Sequence, residues 1–208
     1  MLSVVWLVAM TLLITSAVSS DHAAATEGEG ASATTSDAGF VHPGILVDLP
    51  TLDYVRDQLA TGADPWTSIF ETIRAGQLIR ERPDWRIFSD ARDQSRPCDP
   101  GSPQGCVLDC DSTTCKEVLN RQINSAYANA LLWFYSGDEQ HARRAVEMLN
   151  GYGQVVRGFI TKKSTTYTGI LEAAWTAQTL LRAAEIIRYT YDPTGDEEVF
   201  DTGAFESK

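Results

Sequence analysis

Apolar residues recur at helical spacing over the second half of the chain. Leu119, Ile123, Ala126, Tyr127, Ala130, Leu131 and Phe134 fall on one side of a helix that begins near Lys116. Ser136-Gly137-Asp138 ends it, because glycine closes a helix and aspartate caps the next. The next helix carries Ala142, Ala145, Val146 and Leu149 inward, with Glu139, Arg143 and Glu147 at four-residue steps on a solvated face, and is expected to fray or bend near Gly151 and Gly153. A third runs from about Ile170 to Tyr191, with Ala173, Ala174, Ala177, Leu180, Leu181, Ala184 and Ile187 inward, and stops before Asp192-Pro193. Upstream, Leu52 to Leu59 reads as a short helix closed by Gly62, and Asp64-Pro65 opens another to about Ala75. No convincing series of alternating strands occurs, so the pattern predicts an all-α fold of antiparallel helical hairpins, with small alanines letting helices approach closely.

The two ends differ from this body. Met1–Val18 has no charged side chain and an apolar centre, and Ser16–Ser20 are small; this predicts a signal peptide over residues 1–20 and a secreted or periplasmic destination. An uncleaved anchor is the alternative; once the segment is cleaved no stable membrane insertion is expected. Residues 21–39, built from Ala, Thr, Ser, Gly and acids, predict a disordered linker, leaving 40–208 as the folded domain.

The 208 residues carry a formal charge of -11, but 18 acids and 16 bases lie between Gly39 and Tyr191, so the body is nearly neutral. That balance argues against a general nucleic-acid surface. At 43% hydrophobic residues the chain is too apolar for wholesale disorder.

Cys98, Cys106, Cys110 and Cys115 lie in one Pro-, Gly- and Asp-rich segment. In an exported chain an even set of close cysteines predicts disulfides, and the spacing fits zinc poorly, so no metal is expected. Three pairings are possible; the favoured one is nested, Cys98 with Cys115 and Cys106 with Cys110, stapling a loop to the start of the following helix.

Six arginines stand between Arg74 and Arg96 against four acids, with Trp85 among them. Guanidinium forks bind carboxylates and an indole can stack on a sugar, which makes Arg82, Trp85 and Arg86 the candidate substrate-binding residues for an anionic sugar polymer. The competing expectation is that these arginines pair with Glu81, Asp84, Asp90 and Asp93 on a solvated surface. His42, before Pro43-Gly44, is expected to fix a turn, His141 to lie on a charged helix face, and Trp133 and Trp175 to pack. Tyr127 and Tyr167, the latter beside Lys162 and Lys163, are possible proton carriers that nothing in the sequence promotes further. No G-x-S-x-G, P-loop, dinucleotide fingerprint or H-E-x-x-H occurs.

Several landmarks together resemble a known family: Phe40–Leu46 (FVHPGIL), Asp64-Pro65-Trp66, Ala126–Trp133 (AYANALLW), Ser136–Glu139 (SGDE), Ala145–Asn150 (AVEMLN) and Ala183–Tyr189 (AAEIIRY). In this order and spacing, over about residues 40 to 205, they resemble the amino-terminal half of the secreted alginate lyase family of polysaccharide lyases. The resemblance implies an incomplete (α/α) toroid, a groove for a polyuronate such as alginate, and cleavage by β-elimination without metal or organic cofactor. It also implies that the family's Asn-His pair and catalytic Arg and Tyr lie beyond Lys208, so that this chain is expected to be a fragment, inactive alone, whose catalytic residues are unknown. A non-catalytic carbohydrate-binding or scaffold module is the alternative. Hydrolysis, as in related toroidal glycosidases, would demand a carboxylate pair that the sequence does not single out.

Overall fold

The computed structural model describes residues 33–85, 88–99, 101–110, 112–160, 169–193 and 198–206. The predicted signal peptide, most of the linker, Arg86, and Lys162, Lys163 and Tyr167 lie outside the described residues.

The all-α expectation is corrected: helices dominate, but among the described residues six strands form two sheets, and the fold is mixed α and β rather than an all-α toroid. In the first sheet, β1 (Thr34–Thr35) pairs antiparallel with β2 (Val41–His42), so the end of the predicted linker is a strand. The second has the order β4 (Asp93–Pro97), β3 (Ser89–Asp90), β5 (Cys106–Leu108), β6 (Val156–Phe159). The first three strands are antiparallel neighbours, while β6 joins β5 in parallel from far along the chain. Each strand is two to five residues long, too short for an alternating pattern to show in sequence.

The described residues also form six α-helices: α1 (Leu49–Ala60), α2 (Trp66–Ala75), α3 (Thr113–Ser136), α4 (Glu139–Val155), α5 (Gly169–Thr190) and α6 (Thr202–Glu206). Their starts follow local chemistry. Asp48, Ser112 and Asp138 accept hydrogen bonds from the backbone N–H of Thr51, Cys115 and Gln140, satisfying donors the first turn leaves open. Gly137 ends α3 with φ +68°, where an L side chain would be strained, and donates to the Trp133 carbonyl. The resulting two-residue turn folds α4 back along α3. Contrary to expectation, α4 runs unbroken through Gly151 and Gly153 to Val155, where the chain passes directly into β6.

Helix α3 is the centre of the core and packs against both α4 and α5. Three contacts set its register with α5: Lys116 Nζ to Glu172 Oε1 at 3.6 Å, Arg182 Cζ over the Tyr127 ring at 5.8 Å, and Trp133 Nε1 donating to Thr190 Oγ1 at 3.1 Å. Residue numbers rise together along both helices, so α3 and α5 run parallel.

The cysteine pairing is sequential. Cys98 joins Cys106 and Cys110 joins Cys115, with Cα separations of 5.5 and 5.2 Å, instead of the nested pairing. The four-stranded sheet explains the first: β3 lies between β4 and β5, and Cys98, just after β4, donates its backbone N–H to Phe88 while Cys106 begins β5. The second closes the turn capped by Ser112 at the start of α3. Two disulfides suit an oxidising compartment. Among the described residues no helix is long and apolar enough to cross a membrane.

Candidate functional site

The arginine-rich segment does not come together as the expected subsite. Trp85 is 5% exposed and belongs to the core, edge-on to Tyr152 at 4.7 Å between ring centroids and packed over Gly151. Its face is closed to a sugar. Arg82 pairs with Glu147 on α4, both side chains well exposed, and Arg86 lies outside the described residues. Arg92 and Arg96 both turn inward to Asp90, which is fully buried; Arg92 Nη2 lies 2.7 Å from Asp90 Oδ2 and also donates to the Gly105 carbonyl. Those hydrogen bonds, opposed by burial, hold the Asp90 carboxyl well below the usual range. Arg74 pairs with Glu71, and Glu81 is taken by Arg121 of α3. Arg92 and Arg96 thus hold a buried carboxylate, whereas Arg74 and Arg82 sit in exposed surface pairs.

His42, expected to fix a turn, instead ends β2 and reaches across to α5. Its Nδ1 lies 2.9 Å from Glu185 Oε2, the same oxygen accepts the Gly44 N–H at 3.0 Å, and its ring stacks on Tyr189 at 4.5 Å. Two distant landmark segments, HPG and AAEIIRY, thereby meet. His141, expected on a charged face, is instead buried: its Nδ1 meets Asn129 Oδ1 at 2.8 Å, and Asn129 Nδ2 donates to the Ile79 and Ser125 carbonyls. Desolvation lowers the His141 pKa, keeping the imidazole neutral within this network.

The open chemistry lies elsewhere, where α2, a 3-10 turn at Leu78–Arg80 and α3 line a cleft of about 390 Å³. Ile73 and Leu78 form one wall; Asn120, Asn124, Tyr127 and Leu131, at helical spacing on α3, form the other. Asn124, which lines the cleft, donates its Nδ2 to the Asn120 carbonyl at 2.8 Å. From α5 the Arg182 guanidinium lies over the Tyr127 ring, and its Nε is buried without a hydrogen-bond partner. Among the described residues no carboxylate pairs with Arg182. A buried N–H left unmet costs about 1–3 kcal/mol, which an incoming carboxylate would recover. Burial raises the Tyr127 phenol above its ordinary pKa, while the charge and hydrogen bonding of Arg182 pull it down.

Tyr127 was named by the sequence; Arg182 was not. Its signal was its isolation, as the one charged residue on α5 between Glu172 and Glu185. The expectation that Trp133 and Trp175 both pack holds only for Trp133, which meets Tyr191 edge-on; Trp175 is 53% exposed. Ala174, Ala177 and Leu181 are likewise exposed rather than inward.

Comparison with protein-family models, curated proteins and solved structures finds no match to this chain. The likeness to alginate lyases therefore rests on the landmark segments alone.

Proposed function

We propose that this protein is exported and acts on an anionic uronate polymer at the Tyr127–Arg182 site, by β-elimination. The observation that carries the reading is the Arg182 guanidinium, with an unmet buried N–H and no carboxylate partner among the described residues, lying against a phenol at the edge of an open cleft. A guanidinium fork binds a uronate carboxylate and withdraws its charge, which acidifies the adjacent C5 proton. A base takes that proton, the electron pair forms the C4–C5 double bond, the C4–O4 bond breaks, and O4 leaves with a proton. Tyr127 is positioned beside the cation for proton transfer, and Asn120 and Asn124 offer amides to sugar hydroxyls. The landmark resemblance supports the same substrate class but not this pair of residues, since it implies that the family's own catalytic set lies beyond Lys208, and the two disulfides support export.

The elevated pKa of Tyr127 favours a second reading, a carbohydrate-binding module that holds the polymer without cleaving it, because a phenol that resists ionisation is a poor base. Incubation with alginate and polyglucuronate, followed by the ultraviolet absorbance of the unsaturated uronate, separates the two. Product that disappears in Tyr127→Phe supports elimination; saturable binding without product supports the module. Neither binding nor product on any uronate polymer contradicts both.

A further inference from the structure

The register of α3 and α5 lines up two rows of side chains. On α3 the cleft row is Asn120, Asn124, Tyr127; on α5 the residues at matching steps before Arg182 are Trp175 and Gln178. Both rows end at the Tyr127–Arg182 contact, and both run seven steps along the helix, about two turns or 10 Å. Since the helices run parallel, Trp175 stands level with Asn120 and Gln178 about one residue short of Asn124. Trp175 and Gln178 are exposed, and the Trp175 ring has no aromatic or cationic partner among the described residues. A large exposed indole in line with two amides and a guanidinium that has no carboxylate partner among the described residues is unusual for a merely solvated helix face, where charged residues are the rule. The set supplies what an extended acidic sugar chain needs: a flat apolar face for a ring, amides for hydroxyls and a fork for a carboxylate.

We propose that Trp175 is the stacking platform of an extended subsite, holding a sugar ring of the uronate chain two helical turns from the ring whose carboxylate Arg182 binds. This rests on the reading of the Tyr127–Arg182 site given above and adds chain-length recognition to it. A single uronate unit reaches only Arg182, whereas a longer oligomer reaches both.

The test is calorimetric titration of the full chain with uronate dimers and hexamers, alongside sedimentation to report self-association. The wild type should bind the hexamer at least about tenfold more tightly than the dimer, a factor easily resolved by titration. Trp175→Ala should remove that increment and leave dimer affinity unchanged, Trp175→Tyr should restore much of it, and Arg182→Gln should weaken both ligands. An undiminished hexamer preference in Trp175→Ala overturns the inference while leaving the Arg182 site standing. If Trp175→Ala instead dissociates a dimer of the chain, Trp175 is an interface residue and the inference fails. Absence of any oligouronate binding to the folded wild type overturns the inference together with the reading beneath it.

Discussion

The Trp85 indole packs against the α carbon of Gly151: a β carbon built on Gly151 would lie 2.8 Å from Trp85 Cζ2. No other residue fits without displacing the indole, which is also edge-on to Tyr152 and close to Phe88. Alanine at position 151 gains about 1 kcal/mol of helix propensity, yet overpacking a filled site costs about 1–3 kcal/mol. Gly151→Ala is therefore expected to lower stability on balance, by up to about 2 kcal/mol in urea unfolding. Adding Trp85→Leu should relieve the clash, so that Gly151→Ala costs less in the double variant; equal cost in both backgrounds would contradict this packing.

Asp90 gives the sheet a pH dependence with a definite sign. Its carboxyl is depressed in the folded protein, so its contribution is complete above the unfolded pKa near 4 and is lost as pH falls through the lower folded value. Asp90→Asn should destabilise at neutral pH by roughly 1.5–3 kcal/mol, the range for hydrogen bonds to charged groups. The gap between variant and wild type should narrow progressively below about pH 4. A gap that stays constant from pH 7 to pH 2 would show that the charge of Asp90 is not what Arg92 and Arg96 hold.

The disulfide pairing has a direct chemical readout. Cleavage on the N-terminal side of Asp109, without reduction, should separate a fragment holding Cys98 and Cys106 from one holding Cys110 and Cys115. A nested pairing would keep the two halves linked. Replacing Cys98 and Cys106 together by serine should cost about 2–3 kcal/mol, from the freedom returned to the unfolded loop.

The helices were largely legible in the sequence because they are long and periodic. The end of α3 and the start of α4 follow from Ser136-Gly137-Asp138 and the end of α5 from Asp192-Pro193, with boundaries within about three residues, the usual ambiguity of helix ends. The sheets were not, since β3 to β6 are short and β6 continues directly from α4, so Val155 and Val156 look alike in sequence but lie in different elements. Trp85 misled for a related reason: among arginines it resembles a sugar platform, and only its distant partner Gly151 reveals it as core. The charged neighbours of His141 predict an outward side chain, yet its imidazole reaches back to Asn129. Of the candidate site, Tyr127 could be named from its residue type. Its meeting with Arg182 depends on the parallel register of two helices 55 residues apart, which no local pattern encodes.

The central claim is that Arg182 holds the carboxylate of a uronate chain. It is tested most directly by titrating alginate, and alginate whose carboxylates have been reduced to alcohols, into the wild type and Arg182→Gln. Charge-assisted hydrogen bonds contribute about 1.5–3 kcal/mol, so the wild type should prefer the acidic polymer by about tenfold or more. Arg182→Gln should erase that preference without unfolding the protein. Equal affinity of the wild type for both polymers, or an unchanged preference in Arg182→Gln, would contradict the claim.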